Sequence, residues 1–226
     1  MIKISEAELN TLNQNFRKFQ TRIIQSKKQD NTYFISQLGK FEKQYKKAGL
    51  ERSFAGNIFD FAEKLRSMGI EDLPGIIYSA LVKMPFIKPH VKEVYARKGL
   101  EFAEEQGDYI HILSRLVDLE KLYKQTKDSH NYARTLFQEE KVLIAICNDY
   151  ANAKKNFKTY NREYSPLKKY EIELAKTRVD IAKVILKTNP NQARIVLEKA
   201  RKIFKREERQ KEVDFINLML SEIKEI

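Results

Sequence analysis

Few side chains in this chain have the type and spacing that chemistry needs. His90, His111 and His130 lie far apart in sequence, and neither a His-x3-His nor a Cys-x2-Cys pair occurs, so no local metal motif is present. The single Cys147 excludes an internal disulfide and a cysteine-cluster metal site, and the apolar run Val142 to Cys147 predicts a core thiol. There is no glycine-rich phosphate loop and no Gly-x-Ser-x-Gly elbow. The adjacent carboxylates Glu104-Glu105 and Glu139-Glu140 fall on predicted helix faces, where solvated charge is the expected role. These residues point to a non-catalytic protein without a cofactor or a metal.

Charge offers a second chemistry. The 226 residues carry a net charge of +12, which suits phosphate, since clustered lysine and arginine release counterions on meeting it. The excess lies toward the two ends, while residues 101–150 are net acidic. Lysine outnumbers arginine, and Ile, Asn, Tyr and Phe are abundant, a composition that AT-rich coding also produces. The stretch Lys154 to Tyr164 interleaves cations with Phe157, Tyr160 and Tyr164, as single-stranded RNA binders do. Those aromatics recur at helical spacing, however, which predicts a buried stripe with the lysines on the wet face. Binding of RNA or another polyanion is therefore the alternative to protein binding.

The segment Met1 to Glu8 lacks the apolar core and small-residue cleavage site of a secretory signal, so the expected location is cytoplasmic. The longest apolar run has six residues against the roughly 20 that a membrane helix needs, and no membrane insertion is expected.

The elements that must position any site read as helices throughout. Ser5-Glu6-Ala7-Glu8 is a capping box opening a helix whose stripe is Leu9, Leu12, Phe16, Phe19 and Ile23. Asp30 precedes a second stripe, Phe34, Leu38, Phe41 and Tyr45, which ends near Ala48-Gly49. The next hairpin runs from about Ser53 to Met84, with Ile58, Phe61, Ala62 and Leu65, then Asp72 as a cap for Ile76, Ile77, Ala80, Leu81 and Met84. Pro85 and Pro89 bracket a corner stapled by Phe86 and Ile87. From Pro89 to Thr126 two stripes flank Gln106-Gly107-Asp108-Tyr109: Val91, Val94, Tyr95, Leu100 and Ala103, then Ile112, Leu116, Leu119 and Tyr123. Gly107 can take the left-handed conformation that ends one helix, and Asp108 can cap the next. Asp128-Ser129 then caps Tyr132, Leu136, Phe137, Leu143, Ile144 and Cys147, and Asn148-Asp149-Tyr150 predicts another turn. Beyond it come Ala153, Phe157, Tyr160 and Tyr164, and then Ser165-Pro166 with Leu167, Tyr170, Leu174, Ile181, Val184 and Ile185. Asn189-Pro190 opens Ala193, Leu197, Ala200 and Phe204, and a final helix from about Glu207 carries Val213, Ile216, Leu220 and Ile223. Ten or eleven helices and no strands are expected.

The turns at Gly107, Asn148 and Asn189 are evenly spaced at 41 residues, and Phe61-Ala62-Glu63-Lys64 recurs at the same interval as Phe102-Ala103-Glu104-Glu105. Such a period means stacked helix hairpins. On these residues the chain resembles the tetratricopeptide-repeat (TPR) family. Gly107-Asp108-Tyr109 sits where that family's inter-helix turn sits, and Asn148-Asp149-Tyr150 with Ala153 and Phe157 matches the turn and the start of its second helix. Ala193, Leu197 and Ala200 reproduce its small-large-small spacing, and Ile181-Ala182 resembles the large-small pair of its first helix. The likeness covers residues 90–204; the rest follows by period alone. There is no Trp, no regular helix-ending proline, and a period longer than the family's roughly 34, which leaves HEAT-like and other irregular repeats open.

The resemblance implies an all-α, TPR-like fold over a single domain, 1–226: a right-handed α-solenoid of stacked antiparallel hairpins closed by a C-terminal capping helix. It also implies a scaffold that binds a protein or peptide partner in a concave groove lined by the first helix of each hairpin. Aligning the units by their turns places Arg97, Glu101, Glu104 and Glu105 in that groove in one repeat, and Lys176, Lys183 and Lys187 in another. The groove is then charge-polarised. Against this, Glu173 and Asp180 lie three to four residues from those lysines, where helix pairs do no more than solvate a face.

Overall fold

The computed structural model describes residues 5–26, 30–156 and 166–224, and among them every regular element is an α-helix. The chain divides into two compact units, Met1–Gln106 and Gly107–Ile226. The first holds α1 (Glu6–Gln25), α2 (Asn31–Lys47), α3 (Glu51–Ser67), α4 (Leu73–Lys83) and α5 (Pro89–Gln106), each packed on the next. The second holds α6 (Tyr109–Thr126), α7 (Ser129–Asn156), α8 (Pro166–Ile185), α9 (Pro190–Arg206) and α10 (Gln210–Lys224), again packed in chain order.

Local chemistry starts and stops these helices as the sequence predicts. Ser5 Oγ accepts from the Glu8 amide while Glu8 Oε2 accepts from the Ser5 amide, so the capping box is closed in both directions. Asp30, Asp108, Asp128 and Asn189 each accept amide hydrogens from the first turn of the helix that follows. Gly107 has φ +65°, the left-handed conformation that releases α5. Asp72 departs from this pattern: it sits at the start of α4, but its side chain makes no capping hydrogen bond. Its ψ of −46° is already helical, so its carboxylate is not aimed back over the first turn.

The core of the first unit is aromatic. Phe16 and Phe19 of α1 meet Phe34, Phe41 and Tyr45 of α2, and Phe16 also meets Phe54 of α3 edge-on with centroids 5.7 Å apart. Tyr45 stacks on Phe54 at 5.0 Å. Each such ring contributes about 1.5–3 kcal/mol by leaving water, and the edge-to-face pairs add to that. Arg66 of α3 then reaches across to Glu101 and Glu105 of α5. In the second unit, Ala175, Ala182, Ala193 and Ala200 share a cluster with Leu197, Phe204, Val213 and Ile216; small residues let α8 and α9 approach closely. Arg178 ties α8 to Glu140 of α7 at 2.7 Å, and Arg206 ties α9 to Glu171 of α8 at 2.7 Å.

Three expectations are overturned. No turn forms at Asn148-Asp149-Tyr150; α7 runs through it to Asn156. Asn and Asp cost under about 1 kcal/mol each in a helix interior, and no glycine is there to take the left-handed turn that Gly107 supplies. The stripe extending through Phe157, Tyr160 and Tyr164 lies outside the described residues, as does the Ser165 cap. Val94, Phe137 and Ile144 are exposed, whereas Phe102, Leu122 and Ile146 are buried in their helices. Finally, Glu139 is not solvated: it is 4% exposed, because the face of α7 that carries it is covered by neighbouring helices. Cys147 is half-buried, and burial followed by the nearby Glu171 charge pushes its thiol up to about 11.

Candidate functional site

Packing α1 against α2 and α3 through the Phe16, Tyr45 and Phe54 rings leaves a cleft of about 520 Å³ on the polar side of that contact. Its walls come from two helix faces. Asn13, Arg17, Gln20, Thr21 and Ile24 recur at three-four spacing on α1, and Asn57, Asp60, Phe61 and Lys64 do so on α3. Phe16, Phe61 and Tyr45 form an aromatic floor.

The floor is anchored. Tyr45 is fully buried, and its hydroxyl donates to Asn13 Oδ1 at 2.7 Å, which orients that amide. Burial raises the Tyr45 phenol above its ordinary range, with the Asn57 amide and the Arg17 charge pulling the other way, so it stays a neutral donor. Thr21 Oγ1 donates to its own helix, at Arg17 O, and is held by that bond. Arg17 and Lys64 have no ionic partner among the described residues. The lining thus offers three carboxamides, two cations and one carboxylate above an apolar base. Carboxamides present a donor and an acceptor side by side, matching a peptide main chain; no histidine or cysteine lines the cleft.

The residues singled out from the sequence lie elsewhere. Glu101 and Glu105 of α5 share Arg66, whose guanidinium, followed by Lys98, holds the Glu101 carboxyl below the usual carboxylate range. Arg97 pairs with Glu93 on its own helix at 2.9 Å, and Glu104 is exposed. In the second unit Lys176 meets Glu173 at 2.9 Å and Lys183 meets Asp180 at 2.8 Å, both within one turn of α8. Lys187 stands past the end of α8, in the turn 186–188. Arg97, Glu101 and Glu104 thus belong to the first unit and the three lysines to the second.

Sequence reading passed over the cleft residues because Asn13, Arg17 and Gln20 look like any wet helix face. The available signal was a row of carboxamides at helical spacing on α1, beside the apolar stripe, met by Asn57 on α3. Among the described residues no helix is long and apolar enough to cross a membrane, and no group of acids, histidines and cysteine converges as a metal site would. No protein-family model and no curated protein matches the chain.

Proposed function

We propose that this protein is a non-catalytic interaction scaffold, a TPR-like right-handed solenoid of the cytoplasm, that holds an extended peptide segment of a partner in the cleft between α1 and α3. One observation carries the reading: a cleft of about 520 Å³ whose walls are carboxamides and unpaired cations and whose floor is aromatic. Asn13, Gln20 and Asn57 read the main chain, Phe16 and Phe61 take an apolar side chain, and Arg17 and Lys64 receive an acidic residue. The pairs Arg97–Glu93, Lys176–Glu173 and Lys183–Asp180 each lie within one helix and are solvating pairs of the ordinary kind, so binding is assigned to the α1–α3 cleft of the first unit.

The test is selection of peptides from a random display library on the whole chain, followed by affinity measurement with Arg17→Glu/Lys64→Glu, two exposed positions that leave the core alone. Selected peptides should be acidic and should lose about tenfold or more in affinity with the double variant. Selected peptides whose affinity the variant leaves unchanged defeat the assignment. A generic RNA oligomer that binds instead, with affinity falling steeply as salt rises, replaces it with polyanion binding.

A further inference from the structure

The last helix packed in the second unit, α10, is apolar on two sides. Val213, Ile216, Met219, Leu220 and Ile223 are buried with residues of α8 and α9, which accounts for the inner side. On the solvent side Phe215 is 45% and Leu218 59% exposed. The end helix of a stack needs a polar outer face to stay in solution, and a helix with a second apolar side is built to be covered there too. These two residues lie on one seam. Lys211, Phe215, Leu218 and Glu222 are spaced by four, three and four, the heptad spacing that lines side chains along a helix, and all four are exposed. Phe215 is braced at the edge of the seam, with Lys183 Nζ of α8 5.5 Å from its ring centroid and Asp180 holding that lysine at 2.8 Å.

The two ends of the seam carry opposite charges, and neither Lys211 nor Glu222 has an ion pair among the described residues. Nor do they serve their own helix. Lys211 is in the first turn of α10 and Glu222 in the last, the ends at which the helix dipole disfavours a cation and a carboxylate respectively. The seam also reads the same from either end in one respect: Lys211 and Glu222 share a midpoint with Phe215 and Leu218, between Ile216 and Asn217. Two such helices laid antiparallel about a two-fold axis through that midpoint set Lys211 opposite Glu222 at both rims. At the centre they set Phe215 opposite Leu218, twice. This is the self-complementary pattern of an isologous contact. A parallel pairing would instead oppose Lys211 to Lys211 and Glu222 to Glu222. The antiparallel one brings the N-terminal end of each helix beside the Glu222 of the other, where the dipole favours it.

We propose that the exposed face of α10 is covered by a second copy of this chain, with α10 docked antiparallel on α10. The charges choose both the occupant and its direction, because each unpaired group at one end of the seam finds its complement only at the other end of an identical, reversed seam. The contact is short: the 15 residues of α10 extend about 22 Å. One helix pair of that length buries less than the roughly 1,600 Å² of a standard interface, so the dimer forms with a Kd on the order of 10 to 100 micromolar. Unfolding followed on more dilute protein therefore reads the monomer. This surface is separate from the α1–α3 cleft and stands without it.

The experiment is sedimentation equilibrium of the whole chain over about 5 to 500 micromolar, a range that brackets the expected Kd. At about 0.15 M salt the screening length of about 8 Å mutes the repulsion between two chains of net charge +12 but leaves pairs in contact. The wild type should pass from monomer to dimer and stop there, since a two-fold contact closes on itself. Leu218→Glu should weaken the dimer about tenfold or more. Lys211→Glu and Glu222→Lys should each weaken it about threefold or more, by setting like charges opposite at both rims, and the double reversal should restore it. Each reversed charge suits the dipole of its own helix end, so these variants keep the fold, and circular dichroism checks it. A chain that stays monomeric at the highest concentration overturns the proposal, as does a dimer that Leu218→Glu leaves intact. Single reversals without effect, or a double reversal that fails to restore the dimer, overturn the antiparallel pairing.

Discussion

Glu139, 4% exposed on α7 with no partner for its Oε1, makes Glu139→Gln a direct test of what enclosing a carboxyl costs. Burial, with the charges of Glu120, Asp180 and Glu173 adding to it, raises the Glu139 carboxyl from its ordinary value of 4.5 to about 8. In acid both the folded and the unfolded chain carry the proton, and the residue costs nothing. As pH rises past the unfolded value, the unfolded chain ionises Glu139 while the folded chain holds its proton; the folded state binds more protons, so stability falls with rising pH. The loss is complete above the folded value near 8. At about 1.36 kcal/mol per unit, the cost to the wild type at pH 8 is about 2 to 5 kcal/mol. Glutamine has nearly the same shape and no charge to bury. Wild type and Glu139→Gln should therefore be equally stable at pH 4, and the variant more stable by about that amount at pH 8. Urea unfolding followed by circular dichroism at several pH values measures the difference, in which all other titrations cancel. A difference that stays flat from pH 4 to 8 refutes the placement of Glu139 among buried carboxyls.

Leu197 is fully buried in one cluster with Ala193, Ala200, Phe204 and Ile216, so Leu197→Ala should cost about 2 to 5 kcal/mol in denaturant unfolding. Exposed Leu218→Ala should change stability by under about 0.5 kcal/mol, and equal losses at both positions contradict the assigned core. Asp108 accepts from the amides of Ile110 and His111, so Asp108→Ala should lower stability by about 0.5 to 2 kcal/mol; a loss of that size restored by Asp108→Asn identifies the cap. Reversing Lys176, Lys183 and Lys187 together to Glu sets like charges beside Glu173 and Asp180 and should cost a few tenths of a kcal/mol per pair. The same variant should leave the affinity of peptides selected on the cleft unchanged, and a tenfold loss would move binding to α8.

Sequence by itself determined what is settled within one or two turns of chain. The Ser5 and Glu8 box, the Asp108 and Asn189 caps and the left-handed Gly107 depend on groups three or four residues apart, and the structure shows each of them. The stripes Phe16, Phe19, Ile23 and Ala193, Leu197, Ala200, Phe204 were legible for the same reason, since helical periodicity alone puts them on one face. The solvating pairs of Lys176 and Lys183 were legible too, their partners being three residues away. Tertiary packing decided the rest. Whether Asn148-Asp149 breaks a helix is a contest between a small local penalty and the packing of all of α7, and only the packing settles it. Glu139 and Glu140 are neighbours of one type, yet Glu140 finds Arg178 of α8 while Glu139 is enclosed without a partner. Asn13 and Asn57 are 44 positions apart and look like surface residues until the aromatic contact of α1 with α3 makes them walls of one cleft. A polar residue beside an apolar stripe is wet or enclosed according to where the next helix lies, and that position is set by side chains distant in sequence.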